Sequence, residues 1–248
     1  MSSKFARTLL AVALITSAAA AAPVVLAGSQ GSLGASAVFE VVDFSNLRIT
    51  LSNTSTADVA APSEVLTAVF FDLPGNPALT PVSAVLAPGS TVLFGSAGPG
   101  GVVGGEWAYA TGLSGAPGGA QKGLSSVGLG LFGPFDLFPG DNLAGPASPN
   151  GLQYGITSAG DDPAQGNWAV TGKDALIRNA VVFTLSGLPE GFQLSGISNV
   201  SFQYGTDLEE PNFFPTHTPE PGSLALVLLG LGLLAGGALQ RKLSKRTR

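Results

Sequence analysis

Short runs of alternating apolar and polar residues, each closed off by glycine or proline, set what this chain can fold into. Residues 47–52 read Leu-Arg-Ile-Thr-Leu-Ser, and residues 197–204 read Ile-Ser-Asn-Val-Ser-Phe-Gln-Tyr. A period of two puts one face of a strand on a core and the other in water. The 35 glycines and 18 prolines supply tight turns and disfavour long helices. Residues 65–73 are apolar on both faces and predict a central strand covered from two sides. Further strands are expected at 37–44, 82–87, 91–94, 106–110, 167–171 and 180–186. Ser45-Asn46 and Pro88-Gly89-Ser90 read as hairpin turns. The Gly/Pro-rich stretch 111–166 reads as a long insertion or a ligand-facing surface, with one apolar piece at 127–138. The expectation is an all-β fold, a single β-sandwich of jelly-roll type over residues 28–206. Residues 207–218 are acidic, contain proline and lack periodicity, so they read as a flexible stalk.

Both ends differ from this body. Residues 1–27 read as a signal peptide, with Lys4 and Arg7 before an apolar stretch and then small residues. The expected cut follows Val25-Leu26-Ala27, because a cut after Ala22 would leave Pro23 at the new N-terminus. At the other end, Pro219-Glu220-Pro221 precedes an uncharged run at 223–239 and a basic tail at 240–248. As a helix, that run is roughly 25 Å long, at the short end of what crosses a bilayer core. Arg241, Lys242, Lys245, Arg246 and Arg248 would hold the tail in the cytoplasm. Pro219 and Pro221 fix φ and favour an extended stretch that presents Glu220 just outside the membrane.

This ordered triplet of Pro-Glu-Pro, apolar segment and basic cluster resembles the PEP-CTERM sorting signal of Gram-negative bacterial surface proteins. The resemblance covers residues 219–248. It implies recognition of Pro219, Glu220 and Pro221 by an exosortase, an integral-membrane protease that removes the tail and passes the protein to the cell surface or matrix. The phrases Val181-Val182-Phe183-Thr184-Leu185 and Phe202-Gln203-Tyr204-Gly205-Thr206 are similar to phrases found before the tail in such proteins. The family supplies no catalytic residues. An uncleaved C-terminal anchor is the plainer alternative.

Charge and composition exclude several function classes. Between the two targeting segments only Arg48, Lys122, Lys173 and Arg178 are cationic, against 15 acids. Such a surface disfavours nucleic acid, whose phosphates need cations. With no cysteine, disulfides, zinc–thiolate sites and cysteine nucleophiles are excluded. The one histidine, His217, lies beside the sorting motif and reads as a solvated linker residue, so histidine-based catalysis is not expected.

Three remaining features could carry chemistry. Asp161-Asp162 sits in Gly-Asp-Asp-Pro-Ala-Gln-Gly, where plain turn chemistry competes with a hard-cation site. Asp141, Asn142, Asp161 and Asp162 would be the calcium ligands; otherwise no cofactor is expected. The glycine clusters at 98–101 and 115–119 lack the Gly-Lys-Ser/Thr of a phosphate loop. Trp107, Tyr109, Tyr154, Trp168, Phe202 and Tyr204 could stack on sugar rings, or simply fill the core. The function expected is that of a non-enzymatic, exported surface or matrix protein associated with exopolysaccharide and biofilm. It would be handled by signal peptidase and an exosortase, with a transient stay in the inner membrane. The alternatives are a carbohydrate-binding module and a polysaccharide hydrolase using two carboxylates.

Overall fold

The computed structural model describes residues 22–133, 137–138, 151–172 and 174–216. Two sheets share one core. The first has the strand order β1-β2-β3-β11-β5. Its members are β1 (Val24–Gln30), β2 (Leu33–Val42), β3 (Asn46–Asn53), β5 (Thr80–Leu86) and β11 (Ala180–Ser186). The second is built on β4 (Leu66–Asp72), flanked by β12 (Ser198–Tyr204) and then β13 (Asn212–Phe213). On its other side β4 meets β8 (Lys122–Ser125), which pairs with β7 (Ala108–Thr111). β4 also meets β9 (Ile156–Thr157), followed by β10 (Leu176–Arg178) and β6 (Thr91–Leu93).

The period-two pattern explains the first sheet. Register places Val24, Phe39, Ile49, Phe183 and Ala84 in one row across its five strands. Leu26, Ala37, Leu51, Val181 and Leu86 form the next row. These rows face the second sheet: Phe39 meets Phe71 edge-on with ring centroids 5.5 Å apart, and Phe183 meets Trp107 at 4.9 Å. The intervening positions look outward, where Glu40 and Arg48 pair across β2 and β3 at 2.9 Å. That half-exposed ion pair contributes at most about 1 kcal/mol.

The apolar strand expected at 65–73 is β4, and its two buried faces have different covers. Leu66, Val69 and Phe71 belong to the shared core. Ala68 and Phe70 lie instead under Ala116, Ala120 and Phe132. Part of the stretch expected as an insertion is therefore a lid on the second sheet. It also contributes β8, whose Lys122 is buried with Nζ donating to Thr111 Oγ1 at 3.0 Å. Desolvation lowers the pKa of this amine, and nearby Asp72 opposes the shift.

Several sequence expectations are corrected. The turn at Pro88-Gly89-Ser90 does not make a hairpin: β5 and β6 lie in different sheets. Ser90 Oγ accepts from Asn179 Nδ2 and from the Ala180 N–H, which fixes this crossing point. The strand expected at 167–171 is one helical turn, α1 (Trp168–Thr171). Four residues are too few for periodicity to separate helix from strand. Val24–Ala27, which precede the expected cut, form the start of β1 and pair with β2 in the uncut chain. The expected stalk is folded through Thr216, and Phe213 in it is buried. The membrane helix expected at 223–239 lies outside the described residues; among those described, no helix is long and apolar enough to cross a membrane.

Candidate functional site: the junction between folded body and tail

The last folded segment starts from Gln203, a fully buried side chain at the end of β12. Its Nε2 donates to the carbonyls of Tyr204, Asp207 and Glu210, at 2.9, 2.8 and 3.2 Å. Its Oε1 accepts from Asn212 Nδ2 at 3.1 Å. One amide thus organises the whole turn from β12 to β13. Glu210 closes the turn from the other side, its Oε2 accepting the N–H groups of Thr206 and Asp207. Gly205 has φ 74°, and a Cβ there would collide with the Glu210 carboxylate. Glycine is needed here both for the left-handed backbone and for the space. Asp207, Glu209 and Glu210 made this segment look like a solvated spacer, yet two of the three carboxylates cap backbone donors.

Aromatic packing then pins the strap to the core. The Phe213 ring lies 5.6 Å from Tyr204 and 5.8 Å from Phe202. Tyr204 is fully buried and its hydroxyl donates to the Gly34 carbonyl at 2.7 Å, linking the strap to the start of β2. Burial raises the pKa of this phenol far above its usual value, against the hydrogen bonds to Ser55 and Gly34. Beyond β13 the chain crosses closely over Gly28, where a Cβ would meet the Phe214 carbonyl oxygen at 2.8 Å. The Thr216 N–H then donates to the Ala27 carbonyl at 3.0 Å. The first and last strands of the body therefore meet at one edge of the sandwich.

Immediately after Thr216 a family model, the PEP-CTERM protein-sorting motif, matches residues 217–242. The chain carries a PEP-CTERM sorting motif. This motif implies export, membrane-associated sorting and processing by an exosortase. Neither the curated proteins nor the solved structures contain a match to the chain. The matched range includes Pro219, Glu220, Pro221, Arg241 and Lys242; Lys245, Arg246 and Arg248 follow it. All of these, and His217, lie outside the described residues.

The other candidate residues are dispersed over the body. Asp161 is buried, and its Oδ1 accepts the Val59 N–H at 2.8 Å. Asp162 is exposed; its carboxylate accepts from the Ala164 N–H and the Gln165 amide, which hold its pKa below the usual carboxylate range. Its own N–H donates to Asp58 Oδ1, so the pair works as turn chemistry between two loops. Asp141 and Asn142 lie outside the described residues, and among those described no group of three potential metal ligands comes together.

Five of the six aromatic candidates, Trp107, Tyr109, Tyr154, Phe202 and Tyr204, are buried. Trp168 is 74% exposed on α1, with its ring over Gly172. Sequence reading passed over Glu106, which is buried beside Trp107. Desolvation raises its pKa; burial likewise raises that of Tyr154, with the Glu106 charge adding to the shift.

Proposed function

We propose that residues 22–216 are a non-enzymatic surface or extracellular-matrix module, delivered by an exosortase and associated with exopolysaccharide. The observation that carries this reading is a coincidence of boundaries. Among the described residues the last paired one is Thr216, and the PEP-CTERM motif begins at 217. A cut near Pro219-Glu220-Pro221 removes nothing that the described fold uses. Six residues, 217–222, lie between Thr216 and Ser223, which makes seven steps along the chain. At about 3.4 Å each, that is at most about 24 Å of chain. With the apolar run in the inner membrane, the body would be held close to the bilayer until release. Signal peptidase and the exosortase are the partners this route requires, and the acidic body disfavours nucleic acid.

Replacing Pro219-Glu220-Pro221 by three alanines tests the sorting step. The expected result is a fall in the processed fraction of at least about tenfold, with full-length protein accumulating in the membrane. Unchanged processing would contradict the reading.

Carbohydrate binding is the second reading, favoured by the exposure of Trp168. A flat indole in solvent suits the apolar face of a pyranose. On a glycan array, full-length protein in detergent would bind in a pattern that W168A loses. No binding by either form would sink this alternative.

A further inference from the structure

Trp168 stands where two loops are tied together. Asn167, just before it, donates from Nδ2 to the Ala60 carbonyl at 2.7 Å, which docks α1 on the loop preceding β4. The Ala60 N–H donates to Glu64 Oε2 at 2.7 Å, and two residues earlier Asp58 Oδ1 accepts the Asp162 N–H at 2.8 Å. Val170 is buried with Val59, Val65, Leu152 and Leu176, so α1 has an apolar root. The indole itself leans on Gly172, where a Cβ would come within 2.6 Å of the ring. Glycine thus lets the ring lie against backbone while the residue stays 74% exposed. Charge decides what such a ring can hold. Among the described residues the cations are Arg48, Lys122 and Arg178, and each is committed within the fold. Arg48 pairs with Glu40, Lys122 is buried against Thr111, and Arg178 donates from Nη2 to the Asp161 carbonyl at 2.7 Å. An anionic polysaccharide would meet repulsion at this acidic surface. A cationic one would meet carboxylates that accept its N–H groups, and an indole, the aromatic that attracts cations best.

We propose that Trp168, with the carboxylates of Asp58, Glu64 and Asp162 beside it, binds a polysaccharide of amino sugars whose amines are free and protonated. The proposal rests on carbohydrate binding, the second reading above, and adds the class of sugar. A pyranose stacks on the indole through its apolar face, while its ammonium and hydroxyl groups donate to the carboxylates. Asp162 is the principal acceptor, because it is exposed where Asp58 and Glu64 are half-buried. Its oxygens already take the Ala164 N–H and the Gln165 amide, and each keeps a lone pair for a ligand. Those two donors lower the Asp162 pKa, so it stays ionised in weakly acidic surroundings where sugar amines are charged.

Calorimetric titration of the full chain in non-ionic detergent micelles tests this. The probes are a β-linked glucosamine oligomer, its fully N-acetylated form, a β-linked glucose oligomer and oligolysine. The glucosamine oligomer is expected to bind at least about tenfold more tightly than the other three, and W168A to lose at least about tenfold of that affinity. D162N, which keeps an oxygen for the Ala164 N–H, should weaken binding about threefold. E190Q removes an exposed carboxylate beyond the other end of β11 and should change nothing. A neutral oligomer that binds as tightly as the glucosamine oligomer would overturn the proposal and leave the carbohydrate reading standing. Equal binding of oligolysine, or equal losses in D162N and E190Q, would overturn it as well, because the surface would then only attract cations in general. No binding of any sugar would overturn both.

Discussion

Tyr204→Ala is expected to destabilise the body by about 3–5 kcal/mol, the usual range for truncating a large buried aromatic. Three losses combine. The ring leaves a cavity in the shared core, where Tyr204 is fully buried. Phe213 loses the ring it stacks on at 5.6 Å. The Gly34 carbonyl loses a donor at 2.7 Å, although it keeps the Thr54 N–H. Tyr204→Phe isolates the last effect and should cost only about 1 kcal/mol, the net value of one hydrogen bond. Equilibrium unfolding in urea measures both. The strap is tied down through Phe213, so Tyr204→Ala should also speed proteolysis within 205–216. A loss below about 1 kcal/mol for Tyr204→Ala would mean that the strap does not depend on this ring.

Removal of Val24–Ala27 is the second large effect. These four residues supply Val24 and Leu26 to the edge of the core and the Ala27 carbonyl to Thr216. They also carry four of the seven register pairs between β1 and β2. Half-burial of two aliphatic side chains, at about 25 cal/mol per Å², together with the lost backbone pairs, puts the expected cost at several kcal/mol. A chain beginning at Gly28 should therefore unfold at distinctly lower denaturant than one beginning at Ala22. The alanines at 18–22 offer small residues for signal peptidase upstream of β1. Cuts after Ala20 or Ala21 leave Pro23 inside the product and keep the strand whole. Equal stability of the two chains would return Ala27 to consideration as the boundary.

The comparison of these residues with the sequence shows what a pattern can carry. Leu47, Ile49 and Leu51 alternate with polar residues, and β3 buries them in turn. The doubly apolar β4 was equally readable, because each of its faces has its own apolar cover. The start of β1 was not, since Val-Val-Leu-Ala looks the same at the end of a signal peptide as in an edge strand. Its pairing with β2 is a long-range contact that no local pattern shows. The strap after β12 was hidden for a different reason. Its acids read as solvated charge, whereas Glu210 folds back over Gly205 and caps two backbone donors. The Gly205…Glu210-Pro211 spacing before Asn-Phe-Phe was the available signal. The crossing of the chain between β5 and β6 depends on contacts of Ser90 with residues about ninety positions away. No local pattern encodes such a contact. The sorting motif was fully legible, because a short segment read by an enzyme must be recognisable in itself.

The most direct test of the account is the intact mass and terminal sequence of the protein recovered from its native cell envelope and medium. The account predicts a product that begins upstream of Val24 and ends close to Pro219–Pro221, so that β1 and the strap through Thr216 are both retained. A membrane-bound product that still carries Arg248 would contradict it, and the body would then be a permanently tethered domain.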